Sequence, residues 1–179
     1  MSARYSSPAI LLHWLMALGL AANFALGLTM ADMALSPEKL KFFSWHKWAG
    51  ITLLGLVALR LLWRLLRQPP PMLPMPAWQR RSAAAVHGLM YLLMFAIPLS
   101  GWLMSSAAGV QVVYLGMFPL PDLVAKNKAL FDLLKEVHES LNFTLLALVA
   151  VHLAGALKHH LMDGDATLSR MIPWMRRTP

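Results

Sequence analysis

The chain contains seven histidines and no cysteine, and five of those histidines (His13, His46, His87, His138 and His152) fall in stretches that are otherwise almost wholly apolar. A central charge in hydrocarbon costs about 2.5–3.5 kcal/mol, and a neutral imidazole less, so ligand-capable residues in such stretches usually mark function. His138 and His152 carry the sharpest signal. They are fourteen residues apart, a spacing that puts them about 21 Å apart along a helix and on nearly the same face. One helix thus offers an imidazole near each of its ends. Two imidazoles from facing helices are the ligand set of a six-coordinate haem iron. By depth, His46 is level with His138, giving an outer haem. His13 is at about the depth of His152, giving an inner haem.

Any one of these histidines is explained equally well as a packing residue hydrogen-bonded across a helix bundle. Four in depth-matched pairs point to ligation instead. His87 competes with His13 by depth as the inner ligand. His159, seven residues after His152, lies near the same face and suits the propionates of an inner haem; as a residue at a helix end it is also a plain interfacial side chain. Arg60 and Arg64 are candidate propionate partners on the same footing. Gly50, Gly55 and Gly155 would let a porphyrin edge approach the backbone. Without cysteine, disulfides, thiolate-bound haem, Cys-ligated iron–sulfur clusters and covalent haem attachment are excluded.

The elements that must position these residues are helices in a membrane. Of 179 residues 58% are hydrophobic and 13% charged, against roughly 45–50% and about 25% in a soluble domain. Four stretches, about 8–30, 44–66, 83–104 and 137–161, meet the roughly 20 apolar residues needed to cross a hydrocarbon core. The expected fold is all-α, an integral membrane four-helix bundle in a single domain over 1–179. Arg4 ahead of an apolar run, with Ala25-Leu26-Gly27, loosely resembles a signal peptide, but the length of the run and His13 within it argue that it is retained. The formal charge of +8 reflects basic residues at helix ends and does not imply a nucleic-acid partner. Lys and Arg gather on the side of Arg4, Arg60, Arg64, Arg67, Arg80, Arg81, Lys158, Arg170, Arg176 and Arg177, which places both termini in the cytoplasm.

The segment 68–77, with Pro69, Pro70, Pro71, Pro74 and Pro76, reads as a stiff extended connector. The outer loop 105–135 is expected to hold a short interfacial helix near 126–134. Trp14, Trp45, Trp48, Trp78, Trp102 and Trp174 fit an interfacial aromatic belt, and Pro98 is expected to kink the third helix.

The stretches ILLHWLMALGLAANFALG, HKWAGITLLGLVALRLLWR and HGLMYLLMFAIPLSGWLMSSAAG, and the closing HH-x-x-x-x-D-x-x-L-x-R-M-x-P pattern, resemble the bacterial cytochrome b561 family over essentially the whole chain. That family is similar in turn to the cytochrome b subunits of membrane hydrogenases and formate dehydrogenases. The resemblance implies a multi-pass protein of the bacterial inner membrane with two haem b groups. It also implies ligands from helices one, two and four, here His13, His46, His138 and His152, and a quinone, ubiquinone, as redox partner. His87 is then left to bond a propionate or line a quinone pocket.

Bis-histidine iron has no open position, so electrons enter and leave through porphyrin edges. The expected function is a di-haem carrier between a donor and the quinone pool. Because some members of the family are understood to oxidise superoxide, the alternative is a superoxide:ubiquinone oxidoreductase, with Lys39, Lys41 and Lys47 steering the anion to the outer haem; the nearby Asp32 and Glu38 explain the same lysines equally well as part of a balanced solvated loop. A further alternative is a membrane anchor for a separate dehydrogenase, a redox partner protein. A histidine-lined metal transporter is a distant fourth.

Overall fold

The computed structural model describes residues 4–172; Trp174, Arg176 and Arg177 lie outside the described residues. Four helices make up the fold: α1 (Ser7–Ala31), α2 (Pro37–Leu66), α3 (Ala77–Ala107) and α4 (Lys128–Leu161). The shortest has 25 residues, about 37 Å at 1.5 Å per residue, which exceeds the hydrocarbon thickness. In the most apolar window of each helix only 11% of residues in α1, α2 and α3, and 6% in α4, are buried. Leu11, Leu18, Leu66, Leu92 and Leu153 are among the many large apolar side chains left exposed. Surface of this kind is stable only in lipid.

Start signals are local. Pro8 stands in the first turn of α1. Ser36 caps α2, accepting the backbone N–H of Lys39 at 3.2 Å, with Pro37 next and Glu38 in the first turn. Asn127 caps α4 by accepting from Leu130 N–H at 3.0 Å. These caps lie well ahead of the apolar stretches. So α2, α3 and α4 begin at 37, 77 and 128 rather than near 44, 83 and 137, and the short interfacial helix expected near 126–134 is instead the first turns of α4. Apolar length measured the membrane, whereas capping set the starts of α2 and α4; α3 begins after Pro76 without a side-chain cap. The α3 helix runs unbroken through Pro98.

The α1 helix packs on α2 and α3 on α4, and α2 joins the two pairs by packing on α3. Leu93, Ile97 and Leu145 form the buried cluster between α3 and α4. One end of the bundle is closed by the proline-rich link between α2 and α3, where Arg170 donates to the Pro71 carbonyl at 2.8 Å; this is the linker end. The opposite, hairpin end carries a two-stranded antiparallel ribbon, β1 (Val113–Tyr114) and β2 (Phe118–Pro119). Its turn places Leu115 at φ 54° and Gly116 at φ 72°, the second of which glycine adopts without strain. Trp48 Nε1–H donates to the Val113 carbonyl at 2.7 Å, and the Thr52 and Tyr114 hydroxyls lie 2.9 Å apart, holding the ribbon against α2. Indole N–H groups also bind loops elsewhere. Trp14 donates to the Met171 carbonyl at 2.9 Å and Trp102 to that of Pro121 at 3.1 Å.

Candidate functional site

At the hairpin end, His46 of α2 and His138 of α4 face each other with ring centroids 6.2 Å apart and planes at 80°. Each ring is fixed on its far side. The Asn23 carbonyl lies 3.2 Å from His46 Nδ1, and because a carbonyl only accepts, that nitrogen carries the proton. Ser100 Oγ lies 2.9 Å from His138 Nδ1 and itself donates to the Ile97 carbonyl at 2.8 Å. The chain therefore runs from His138 Nδ1–H through the serine hydroxyl to a backbone acceptor. Both rings are left with Nε2 bearing a free lone pair, which is how second-sphere partners prepare imidazoles for a metal. Glycine makes room for this: a Cβ at Gly27 would lie 3.2 Å from His46 Cε1, and one at Gly101 3.1 Å from His138 Cε1.

At the linker end three histidines meet. His13 of α1 and His152 of α4 have centroids 6.3 Å apart with planes at 68°, and His87 of α3 lies 5.2 Å from His152 at 65°. Among the described residues no hydrogen bond fixes any of these three rings. Trp14 stands edge-on to His13 with centroids 5.2 Å apart. Arg60 lies within electrostatic reach of all three histidines. Its guanidinium is anchored by Nη1–H donating to the Ala9 carbonyl at 2.9 Å and by Nε–H donating to the Tyr91 hydroxyl at 3.2 Å.

Metal–imidazole nitrogen bonds are about 2.0–2.1 Å and a ring centroid lies about 1.1 Å behind the nitrogen, so imidazoles on opposite sides of one ion have centroids roughly 6.3 Å apart. The His46–His138 and His13–His152 separations fit that span. The His87–His152 separation is too short for it. A Cβ at Gly50, Gly55 or Gly155 would meet nothing within 4 Å, and Asn23 Oδ1 is buried without a protein partner. These residues fit a flat group held by two imidazoles.

His159 is engaged at its own helix end. Its Nδ1 is 2.9 Å from both Asp163 Oδ2 and Asp165 Oδ2, and Lys158 Nζ holds Asp163 at 2.6 Å. Burial opposes ionisation of Asp165, but the Thr167 hydrogen bonds and His159 outweigh it and hold that carboxyl below the usual range. Reasoning from sequence missed Ser100, Gly101, Gly27 and the Asn23 carbonyl. The adjacent Ser100-Gly101 after Pro98 was the available signal, since a polar and a side-chain-free residue side by side in an apolar helix leave room for something.

Lipid-facing helices with opposed interior imidazoles define a class, the membrane haem proteins of electron transfer. A model of the family described as prokaryotic cytochrome b561 matches residues 4–174, and the chain belongs to that family. It is 37% identical to cytochrome b561 homolog 2 of Escherichia coli (strain K12), over 94% of this chain and 91% of the relative. Identity to cytochrome b561 homolog 1 of the same organism is 32%, over 95% and 97%. A Yersinia pestis protein named "Probable superoxide oxidase CybB" is 30% identical, over 98% of this chain and 99% of its own. The chain is thus a multi-pass bacterial membrane protein of electron transport that binds b-type haem.

Proposed function

We propose that the chain is a single di-haem domain that moves electrons between a donor and the ubiquinone pool across the bacterial inner membrane, with its linker end and both termini in the cytoplasm. The observation that supports this best is the pair of histidine separations, 6.2 Å and 6.3 Å, each suited to one iron between two imidazoles. His46 and His138 would hold one haem, and His13 and His152 the other. Haem, when bound, supplies reversible one-electron chemistry. The chain's own residues set everything around it: the Asn23 carbonyl and Ser100 hold tautomers, glycines admit the rings, and Arg60 offers charge to propionates beside the linker-end histidines. His87, with its ring centroid only 5.2 Å from that of His152, would line the pocket of the linker-end haem and leave ligation to His13 and His152. His159, held by Asp163 and Asp165, is a weaker propionate partner than Arg60.

A reduced-minus-oxidised spectrum with a haem-to-protein ratio tests the reading. A ratio of two is expected, and a ratio of one or none overturns it. The ligand assignment is tested by His13→Ala, which should lose one haem, beside His87→Ala, which should keep both; the reverse result exchanges the two roles.

A second reading is superoxide oxidation at the hairpin end. Two superoxide anions would each give up one electron and leave as dioxygen, and one quinone would take two electrons and two protons to become quinol. The name of the Yersinia relative suggests it. So does Lys47, which lies within electrostatic reach of His46 and, among the described residues, forms no ion pair, leaving a positive charge there to attract an anion. Superoxide-dependent reduction of the haem in the isolated protein would establish this reading. Co-purification with a soluble dehydrogenase, without that activity, would favour the anchor role.

A further inference from the structure

The linker end holds a cavity of about 570 Å³ whose walls include Arg4, Arg60, Arg64 and Arg67 with Trp63 and Tyr91, and among the described residues no acidic side chain lines it. Among the described residues none of these arginines forms an ion pair. Four guanidinium groups around one hollow repel each other, and an anion bound among them removes that cost. Arg60 is already committed to the Ala9 carbonyl and the Tyr91 hydroxyl, whereas Arg64 is exposed on the last turn of α2 and Arg67 is exposed at its C-cap. Trp63 Nε1–H donates to Ser6 Oγ at 3.0 Å, which ties the start of α1 to this wall and keeps Arg4 beside the others.

The apolar surface below the cavity identifies the source of the anion. Leu59, Leu62 and Leu66 follow one another at helical spacing down the same side of α2 and are 49%, 52% and 70% exposed. They lie on a different side of α2 from Arg60, Arg64 and Arg67, while the hollow has apolar walls of its own in Pro8, Ala9, Trp63, Pro69 and Pro70. A soluble phosphate has no use for an apolar wall at the end of a membrane span, but a phospholipid does, with its phosphate among the arginines and the start of its acyl chains against that wall. We propose that this cavity is a binding site for the phosphate headgroup of an anionic phospholipid in the leaflet at the linker end. Basic pockets between membrane helices bind anionic headgroups on the same principle. The proposal rests on the linker end lying at a membrane interface and not on the haem or quinone assignments.

The test is native mass spectrometry of the full-length, haem-loaded protein released from detergent with added cardiolipin, phosphatidylethanolamine of matched chains, or inorganic phosphate. Cardiolipin should be retained at least about tenfold more strongly than phosphatidylethanolamine, consistent with several basic contacts. The double variant Arg4→Gln, Arg67→Gln leaves Arg60 and Arg64 in place and should lower cardiolipin retention at least about fivefold, while Arg4→Lys, Arg67→Lys should keep most of it. No preference for cardiolipin in the unaltered protein overturns the proposal without recourse to any variant. Inorganic phosphate bound as well as cardiolipin would mark a soluble-anion site and overturn the lipid source. Loss of one haem equivalent in the glutamine variant with lipid retention unchanged would assign the arginines to haem propionates and also overturn it.

Discussion

The two ends of the bundle hold their histidines by different means. At the hairpin end each imidazole is pinned from behind, His46 by the Asn23 carbonyl and His138 by Ser100, and each ring rests against a glycine. At the linker end His13, His87 and His152 gather, among the described residues, without such pins, beside the guanidinium of Arg60. The first arrangement orients ligands before anything binds, which favours retention. The second sets the positive charge of Arg60 beside the site, which favours an added electron there. If each end holds a haem as proposed, one end is suited to retaining it and the other to setting a potential, and electrons would run downhill from the hairpin end to the linker end.

The sharpest way to break this contrast is to remove a ligand at each end. His138→Ala and His152→Ala should each lower the haem-to-protein ratio from two to one, measured by the pyridine haemochrome, and their spectra should be complementary. Identical residual spectra would mean that the ends are not independent. Next in size, Ser100→Ala removes the support of His138 and should weaken haem retention at the hairpin end by about tenfold, the lower limit for loss of an outer-sphere partner. It is read by haem transfer to an apo-acceptor, and equal loss from both ends would erase the distinction between them.

A smaller effect is expected from Arg60→Gln, which withdraws one positive charge near the linker-end histidines. Redox titration should show that midpoint falling by on the order of 50 mV with the hairpin-end midpoint unmoved, taking an interaction at an effective dielectric of about 20. The smallest concerns the turn after α4. The carboxyl of Asp165 titrates below its ordinary value of 3.8 in the folded chain, so its contribution is fully present above that value and is lost as pH falls through the lower, folded-state one. Hydrogen exchange over 162–170 should therefore stay protected at neutral pH and open below about pH 4, with the hairpin end unchanged. Protection that is flat across that window would show that Asp165 does not hold this turn.

Apolar runs of more than 20 residues, separated by a proline-rich link and a polar loop, determined four membrane helices, because hydrocarbon admits no other use of such segments. The spacing of His138 and His152 likewise determined that one helix faces two sites, since helical rise and pitch are properties of the backbone. Helix starts were less legible. Ser36 and Asn127 decide them through side-chain hydrogen bonds to their own N–H groups, and these are too short-range for a hydropathy pattern to register. Only the tertiary structure brought His87 to 5.2 Å and His13 to 6.3 Å from the same ring of His152. Depth along a helix says nothing of the angle at which three helices meet. The same holds for Gly27 under His46 and Gly101 under His138: which glycine receives a ring depends on the rotation of one helix about its axis against another, and that is settled by packing.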